Sequence, residues 1–171
     1  MTLISPRIDC QIAMESVVWN NDIDLRSLCE KILSEAVSLL LSKQEKSFCE
    51  VIEVSLVFTD AENIKALNAQ YRQIDRSTNV LSFPSFFALS GETLGPILGD
   101  VIFAYEVIKI ESEILGEKLE DHLKHLIIHG FLHLLGYDHI DDEDACIMEE
   151  LERCILAKLG IYDPYAVRDL S

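Results

Sequence analysis

Three histidines at the end of one apolar helical stretch constrain this chain more than any other feature. The stretch reads His129-Gly-Phe-Leu-His133-Leu-Leu-Gly136-Tyr-Asp-His139. Because an α-helix rises about 1.5 Å per residue, His129 and His133 project from one face, about 6 Å apart along the axis. Gly136 can adopt the left-handed conformation that ends helices, so the chain can fold back and bring His139 to the same place. The spacing predicts one metal ion bound by three imidazoles.

Zinc suits this set of ligands. Zinc bound by three protein nitrogens keeps a fourth position for water, which is the arrangement of catalytic sites, whereas structural sites close all four positions and favour cysteine. Such an ion lowers the pKa of its bound water to about 7 and polarises a phosphoryl oxygen. We therefore expect one Zn²⁺ per chain, bound by His129, His133 and His139, and hydrolytic chemistry.

Two further histidines, His122 and His125, lie on the same face of the helix and compete for the ligand role. His125 and His133 are about 12 Å apart along a straight helix, whereas Zn–N bonds are about 2.0–2.1 Å long. One ion therefore cannot bind residues 125, 129 and 133 together, and His139 is the better third ligand. We expect His122 and His125 to be polar residues at the exposed end of the helix; a role around the ligands or at the substrate is the alternative.

Gly130 narrows the class of hydrolase. Metzincin peptidases share the histidine spacing but carry a glutamate directly after the first histidine as general base; here that position is Gly130. A glycine inside a helix costs about 1 kcal/mol relative to alanine. We expect Gly130 either to leave room beside the metal or to let another element approach. A metzincin-like metallopeptidase stays as an alternative that lacks its base.

The histidine stretch resembles the signature of the YbeY family, bacterial metal-dependent endoribonucleases of ribosomal RNA maturation. Two more blocks agree with the family: residues 68–84, which contain Arg72, and Leu98-Gly99-Asp100-Val101. The similarity runs in order from about Val51 to about Leu159. One departure is Asn79, where many members have aspartate, and we expect only a local effect because both side chains accept hydrogen bonds.

The resemblance implies a function and partners. It implies a single-strand-specific endoribonuclease that acts in ribosomal RNA processing, including 3′-end maturation of 16S ribosomal RNA, and in ribosome quality control. The implied partners are ribosomal RNA, the small ribosomal subunit and proteins of ribosome assembly. It also implies that Arg72 and His129 matter most for activity. A non-catalytic ribosome-assembly factor with a structural metal is a further alternative.

Arginine also suits the chemistry, because its planar fork can hold two phosphate oxygens. We expect Arg72 to clamp phosphate. The sequence places no carboxylate as an obvious general base, so the choice between metal hydroxide and the RNA 2′-hydroxyl as nucleophile stays open.

The charge of the chain works against nucleic-acid binding. The net charge is −16, from 30 acidic and 14 basic residues, and phosphate neutralisation by lysine and arginine supplies most affinity for nucleic acids. Arg72 and Arg76, one turn apart if helical, and the metal can still make the site locally positive. We expect narrow RNA capture that is weak, salt-sensitive and aided by a partner, and no binding of DNA.

Length and composition bound the rest. A chain of 171 residues, 49% hydrophobic, suits a single domain spanning residues 1–171. No long uncharged apolar stretch and no leader pattern occurs, which predicts a cytoplasmic protein without membrane contact. The five cysteines are odd in number and scattered, so we expect buried free thiols. They are Cys10, Cys29, Cys49, Cys146 and Cys154.

Hydrophobic periodicity predicts the order β-α-β-α-β-β-α-α-α. The implied fold is an α+β domain in which a small mixed four-stranded sheet packs on a central histidine-bearing helix, the zincin-like arrangement that a YbeY-type fold would give. A glycine-containing loop before the fourth strand could cover the site. The predicted strands are 7–18, 51–58, 79–83 and 97–104; the predicted helices are about 24–42, 61–71, 105–115, 119–135 and 142–159, with Asp22 or Asp24 capping the first and residues 43–47 forming a polar connector.

Several residues have both a structural and a functional interpretation. Asp138 could orient a ligand imidazole or be a turn residue. Asp100 could touch the site or satisfy backbone groups at a strand start. Trp19 belongs to the core or to an interface. Three residues of the 68–84 block could line the RNA cleft or simply end strands: Thr78, Asn79 and Ser82.

Overall fold

The computed structural model describes residues 5–19, 23–85, 93–161 and 163–165, and six strands and five α-helices lie within them. A short 3₁₀ helix, Val17–Trp19, lies between the first strand and the first helix. The strands are β1 (Arg7–Met14), β2 (Ser47–Phe48), β3 (Val51–Thr59), β4 (Val80–Pro84), β5 (Thr93–Leu94) and β6 (Ile97–Ala104). The helices are α1 (Leu25–Ser42), α2 (Ala61–Arg72), α3 (Tyr105–Leu115), α4 (Leu119–Leu134) and α5 (Asp142–Lys158).

Four of the strands form one mixed sheet in the order β1-β3-β6-β4. β1 pairs parallel with β3, and β3 pairs parallel with β6. β4 then pairs antiparallel with β6 and lies at one end of the strand order. The predicted fold class, a small mixed four-stranded sheet with helices, is confirmed.

The histidine helix α4 packs on one face of this sheet. It contacts β4 and β6 and also α1, α3 and α5. Successive residues of a strand point to opposite faces, and β6 shows this directly. Val101 and Phe103 join the large core that contains α4, whereas Ile102 and Ala104 pack with Ile64 of α2 in a smaller core. Because α4 is covered by the sheet and three helices, its apolar residues are buried as its composition predicts.

The first strand is shorter than predicted. β1 ends at Met14, and the 3₁₀ helix Val17–Trp19 follows, so the predicted extension of the strand to Val18 is wrong. The chain turns there to bury Trp19, which is 1% exposed and packs edge-on against Phe58. The Trp19 indole N–H donates to the carbonyl of Thr59 at 2.6 Å. Trp19 is therefore a core residue, and core burial ends the strand.

The two short strands were not predicted. Ser47–Phe48 pairs parallel with Thr93–Leu94 at the end of what was expected to be a polar connector. Two residues are too few to show a periodic pattern. The loop expected to cover the site falls largely on residues 86–92, which lie outside the described residues.

The remaining fold predictions concern a helix cap, the thiols and the membrane. The N-cap of α1 is Asp24, whose side chain accepts a hydrogen bond from the Ser27 backbone at 3.2 Å, and Asp22 lies outside the described residues. All five cysteines are free, but the expectation that all are buried is wrong, because Cys146 lies on the exposed side of α5. Within the described parts of the chain, no helix combines the length and apolar character needed to cross a membrane.

Candidate metal centre

The structure brings the three histidines of the 129–139 stretch together. The Nε2 atoms of His129 and His133 lie 3.0 Å apart, on successive turns of α4. After α4 the chain reverses at Gly136, whose φ is 97°. The ring of His139 then lies with its centroid 5.5 Å from that of His129 and 5.1 Å from that of His133. One nitrogen from each of these rings can be chosen so that all lie within 4.8 Å of one another.

Hydrogen bonds at Nδ1 decide which nitrogen of each ring faces the cluster. Nδ1 of His133 lies 3.0 Å from the Tyr137 carbonyl, and Nδ1 of His129 lies 2.7 Å from Oε1 of Glu152. A carbonyl or carboxylate oxygen can only accept, so each Nδ1 carries a proton, and in the neutral form of each ring the lone pair is on Nε2. The two Nε2 lone pairs therefore face each other.

The facing lone pairs fit a bound cation. Burial, and then the neighbouring His129 and His139, lower the pKa of His133 from its ordinary 6.5 to about 4, so this ring is neutral at pH 7. Two Nε2 lone pairs 3.0 Å apart repel each other unless a cation lies between them. Tetrahedral zinc with bonds of about 2.0–2.1 Å separates its nitrogens by about 3.4 Å, close to the spacing found.

Glu152, on α5, was not identified from the sequence. It is fully buried, and its carboxylate accepts hydrogen bonds from His129, from Nε2 of His125 at 2.8 Å and from the Tyr165 hydroxyl. Burial raises the pKa of Glu152, but the hydrogen bonds from His125 and His129 outweigh it and lower the pKa to about 2. Glu152 lies on the apolar face of α5, four residues after Met148 and four before Leu156. A glutamate among the apolar residues of a helix face is the sequence feature that could have identified it.

The expectation that His122 and His125 lie at an exposed helix end is wrong. His122 is 5% exposed, and its Nε2 lies 3.3 Å from Glu111 of α3. His125 is partly buried against Glu152. The cause is tertiary: Glu111 of α3 reaches His122 in the first turn of α4, and Glu152 of α5 reaches His125. Local sequence cannot show which end of a helix its neighbours cover.

Arg72, at the end of α2, lines the same cleft as the histidine cluster. A cleft of about 700 Å³ is lined by Arg72, Arg76 and all three histidines. The Arg72 guanidinium donates to the Ser82 carbonyl at 2.9 Å and lies 5.5 Å from the centre of the Phe83 ring. Residues 78, 79 and 82 line the same cleft. α2 ends at Arg72 because Gln73 is left-handed with φ of 60°, so Arg76 does not follow on the next helical turn.

Gly130 allows the sheet to approach α4. A Cβ atom built at Gly130 would lie 2.5 Å from Cγ1 of Val101 on β6 and 3.3 Å from the Ser82 hydroxyl. The Ser82 hydroxyl donates to the Gly130 carbonyl at 3.1 Å. Of the two expectations for this glycine, the close approach of another element is the one observed.

The other candidates divide between the cleft and the surface. Asp138 lines the cleft, and its carboxylate accepts from the backbone N–H of His139 at 2.7 Å, a turn contact. Asp100 is exposed on β6 and is not among the described residues that line the cleft. The Asn79 amide donates to the Glu111 carboxylate at 3.0 Å and its oxygen accepts from the Val80 backbone.

Fold and site together define an α+β protein that carries a three-histidine cluster on a central helix. Comparison with known proteins gives the family. The family model described as "Endoribonuclease YbeY" matches residues 15–160, and the chain belongs to this family.

Relatives and a solved structure agree with this assignment. A protein of Agrobacterium fabrum named "Endoribonuclease YbeY" is 48% identical over 160 residues, which cover 93% of this chain and 95% of the relative. A protein of the same name from Rhizobium leguminosarum bv. trifolii is 47% identical over 165 residues, 96% of each chain. The solution structure of TM1509 from Thermotoga maritima matches with a TM-score of 0.56 and 20% identity, covering 88% of this chain and 91% of that one. That likeness concerns the fold.

Proposed function

We propose that this protein is a zinc-dependent endoribonuclease that cleaves phosphodiester bonds in the cleft beside the histidine cluster. The observation that carries the proposal is the convergence of His129, His133 and His139, with two Nε2 lone pairs facing each other, next to Arg72. The name of the relatives, which describes RNA cleavage, supports the reaction type.

The proposed zinc ligands are His129, His133 and His139, with one ion per chain. A zinc ion bound there supplies a Lewis acid and lowers the pKa of a water ligand. The chain itself supplies the orientation of the rings. The Tyr137 carbonyl holds His133, and the Glu152 carboxylate holds His129, each through an Nδ1–H hydrogen bond.

Arg72 is proposed as the phosphate clamp. One of its terminal nitrogens donates to the Ser82 carbonyl, which fixes the plane of the guanidinium at the cleft wall. A guanidinium has five N–H donors, so this contact leaves donors for the non-bridging oxygens of a phosphate. Both metal hydroxide and the RNA 2′-hydroxyl stay open as nucleophile.

The proposed substrate is single-stranded ribosomal RNA, including the 3′ end of 16S ribosomal RNA, in the setting of ribosome quality control. The proposed partners are the small ribosomal subunit and proteins of ribosome assembly, in the cytoplasm and without DNA or membrane. Residues 1–171 are proposed to form one domain. The net charge of −16 supports a need for partners, because it disfavours binding of bare RNA.

The metallopeptidase alternative finds no support at the site. Position 130 is glycine, and the carboxylate nearest the cluster, Glu152, is buried and already accepts three hydrogen bonds. Neither position offers a carboxylate free to activate water for attack on a peptide, and Asp138, which lines the cleft, accepts from the His139 backbone in the turn after α4.

The test is cleavage of a ribosomal RNA precursor by purified variants, together with metal analysis. His129→Ala and Arg72→Ala should abolish cleavage while circular dichroism shows an intact fold, and His139→Ala should lose zinc. Arg26→Ala, on α1 and away from the cleft, is the matched control for loss of a positive charge. Cleavage by His129→Ala at the rate of the unaltered protein would refute the proposal.

A structural metal makes a different prediction. In that case chelation would lower the melting temperature substantially, whereas folded His129→Ala would associate with ribosomes and the unaltered protein would cleave no RNA. Measuring the melting temperature, ribosome association and RNA cleavage with the unaltered protein and the variant in parallel distinguishes a structural metal from a catalytic one.

A further inference from the structure

Glu152 is a fully buried carboxylate with an uneven division of contacts between its two oxygens. Oε1 lies 2.7 Å from Nδ1 of His129. Oε2 lies 2.8 Å from Nε2 of His125 and also accepts from the Tyr165 hydroxyl. One oxygen therefore faces the proposed ligand, and the other faces two side chains that are not in the histidine cluster.

These contacts hold the carboxylate from three parts of the chain. His125 lies one helical turn before His129 on α4, Glu152 is on α5, and Tyr165 follows α5. The Tyr165 ring also lies 5.7 Å from that of His125 and 5.2 Å from the Arg153 guanidinium. Glu152 cannot turn away from His129 without breaking contacts at its other oxygen.

The consequence for His129 follows from general chemistry. A carboxylate bound to Nδ1–H fixes the tautomer and the orientation of the ring and makes Nε2 a more basic ligand. The interaction is strong because the carboxylate is shielded from water. By contrast, His133 receives a neutral acceptor, the Tyr137 carbonyl.

We propose that Glu152 is the positioning residue of the metal centre: it holds His129 in the Nδ1–H tautomer with Nε2 aimed at the ion, while His125 and Tyr165 lock the carboxylate in place. This inference rests on the metal site proposed above. Glu152 acts through His129 and needs no contact with RNA.

Glu152→Gln is the informative variant, because it keeps the size of the side chain and removes its charge. The amide oxygen can still accept from His129, and the amide N–H groups can donate to His125 and to the tyrosine oxygen after a change of tautomer. We expect the zinc dissociation constant, measured by chelator competition, to rise about 10- to 100-fold. The melting temperature of the metal-free variant should fall, because neutral hydrogen bonds replace charge-assisted ones, so zinc affinity is measured at a temperature at which circular dichroism shows the variant folded.

Glu149→Gln is the matched control. Glu149 lines the same cleft of about 500 Å³ that Glu152 and His125 line, on the same helix, so its loss removes an equal charge nearby. We expect its zinc dissociation constant to stay within about twofold of that of the unaltered protein. An equal loss of zinc affinity in both variants would mean that negative charge in this cleft, and not the orientation of His129, determines the affinity. That result would overturn the inference.

A second measurement needs no variant. Nitrogen chemical shifts of the histidine rings in the metal-free, unaltered protein at neutral pH report the tautomer directly, and we expect Nδ1–H for His129. Finding Nε2–H there, or an unchanged zinc affinity in Glu152→Gln, would overturn the inference. If RNA cleavage is absent but Glu152→Gln still weakens zinc, the proposed function fails alone; if His129→Ala abolishes cleavage but Glu152→Gln binds zinc normally, this inference fails alone.

Discussion

The histidines of the cluster differ in what surrounds them, although the sequence makes them look equivalent. His129 donates a hydrogen bond to the Glu152 carboxylate, and His133 donates one to a backbone carbonyl. His139 is exposed in the turn after α4. The turn that follows Gly136 places both the Tyr137 carbonyl and His139. The local spacing therefore predicted the convergence of the rings, whereas the long-range partner Glu152 required the tertiary structure.

The low pKa of His133 predicts a loss of stability in mild acid. Burial is the largest cause of the shift, which lowers the pKa from its ordinary 6.5 to about 4. Between these values the unfolded state binds the proton and the native state does not, so the stability is fully present above about pH 6.5 and is lost as the pH falls toward 4. Urea unfolding of the metal-free protein at several pH values measures this.

His133→Asn is the control for that pH dependence, because asparagine does not titrate. The stability of this variant should change less between pH 6.5 and 5 than that of the unaltered protein. Two parallel profiles would show that other groups cause the effect.

Gly130→Ala should destabilise the protein although alanine favours helices. The new Cβ would lie 2.5 Å from Cγ1 of Val101, so the sheet or the helix must shift. Overpacking costs about 1–3 kcal/mol, and the gain in helix propensity is about 1 kcal/mol, so we expect a net loss of up to about 2 kcal/mol in the free energy of unfolding, measured in urea. The same change in a Val101→Ala background should cost less; an equal cost in both backgrounds would exclude the clash as the cause.

At the scale of whole elements, hydrophobic periodicity predicted most of the helices and the longer strands. The boundaries of α1, α3 and β6 agree with the predicted ones within a residue or two, because each helix buries one regular face and β6 is an apolar run that contributes to both cores. The two-residue strands β2 and β5 bury too little to leave a pattern. The burial of His122 was also missed, since it depends on a contact with Glu111 of α3.

The N-cap of α2 gives a test at this scale. The Asp60 carboxylate accepts from the Asn63 backbone N–H at 2.8 Å, and α2 carries Arg72 at its far end. Asp60→Ala should lower the free energy of unfolding by about 1 kcal/mol. Asp60→Asn, which retains the cap, should cost much less in the same urea titration. Equal losses would mean that the negative charge, and not the cap, stabilises the helix.

At the scale of the whole molecule, the charge is distributed unfavourably for a protein that binds RNA. The chain has 14 basic and 30 acidic residues, and the cleft beside the cluster is lined by two arginines, Arg72 and Arg76. A second cleft, which shares His129 with the first, is lined by Glu111, Glu149 and Glu152. An RNA backbone should therefore enter from the arginine side.

This asymmetry predicts that RNA binding is salt-sensitive to the extent that two arginines allow. Each phosphate contact to single-stranded nucleic acid contributes about −0.7 to the slope of log K against log salt concentration, so two arginines give about −1.4. Fluorescence anisotropy with metal-free protein and a short RNA across a KCl series measures the slope. Arg76→Ala should reduce its magnitude by about 0.7, and Arg26→Ala should not. A slope steeper than about −3 would indicate an additional basic surface.

All three imidazoles of the cluster come from residues 129–139, so they remain neighbours even when the sheet and the other helices are absent. A denatured chain would keep a local chelator, and ligands that also bind the unfolded state stabilise the native state less than their native affinity implies. Zinc should consequently raise the melting temperature by less than its dissociation constant suggests. It could also be captured by a newly made chain before Glu152 has reached His129.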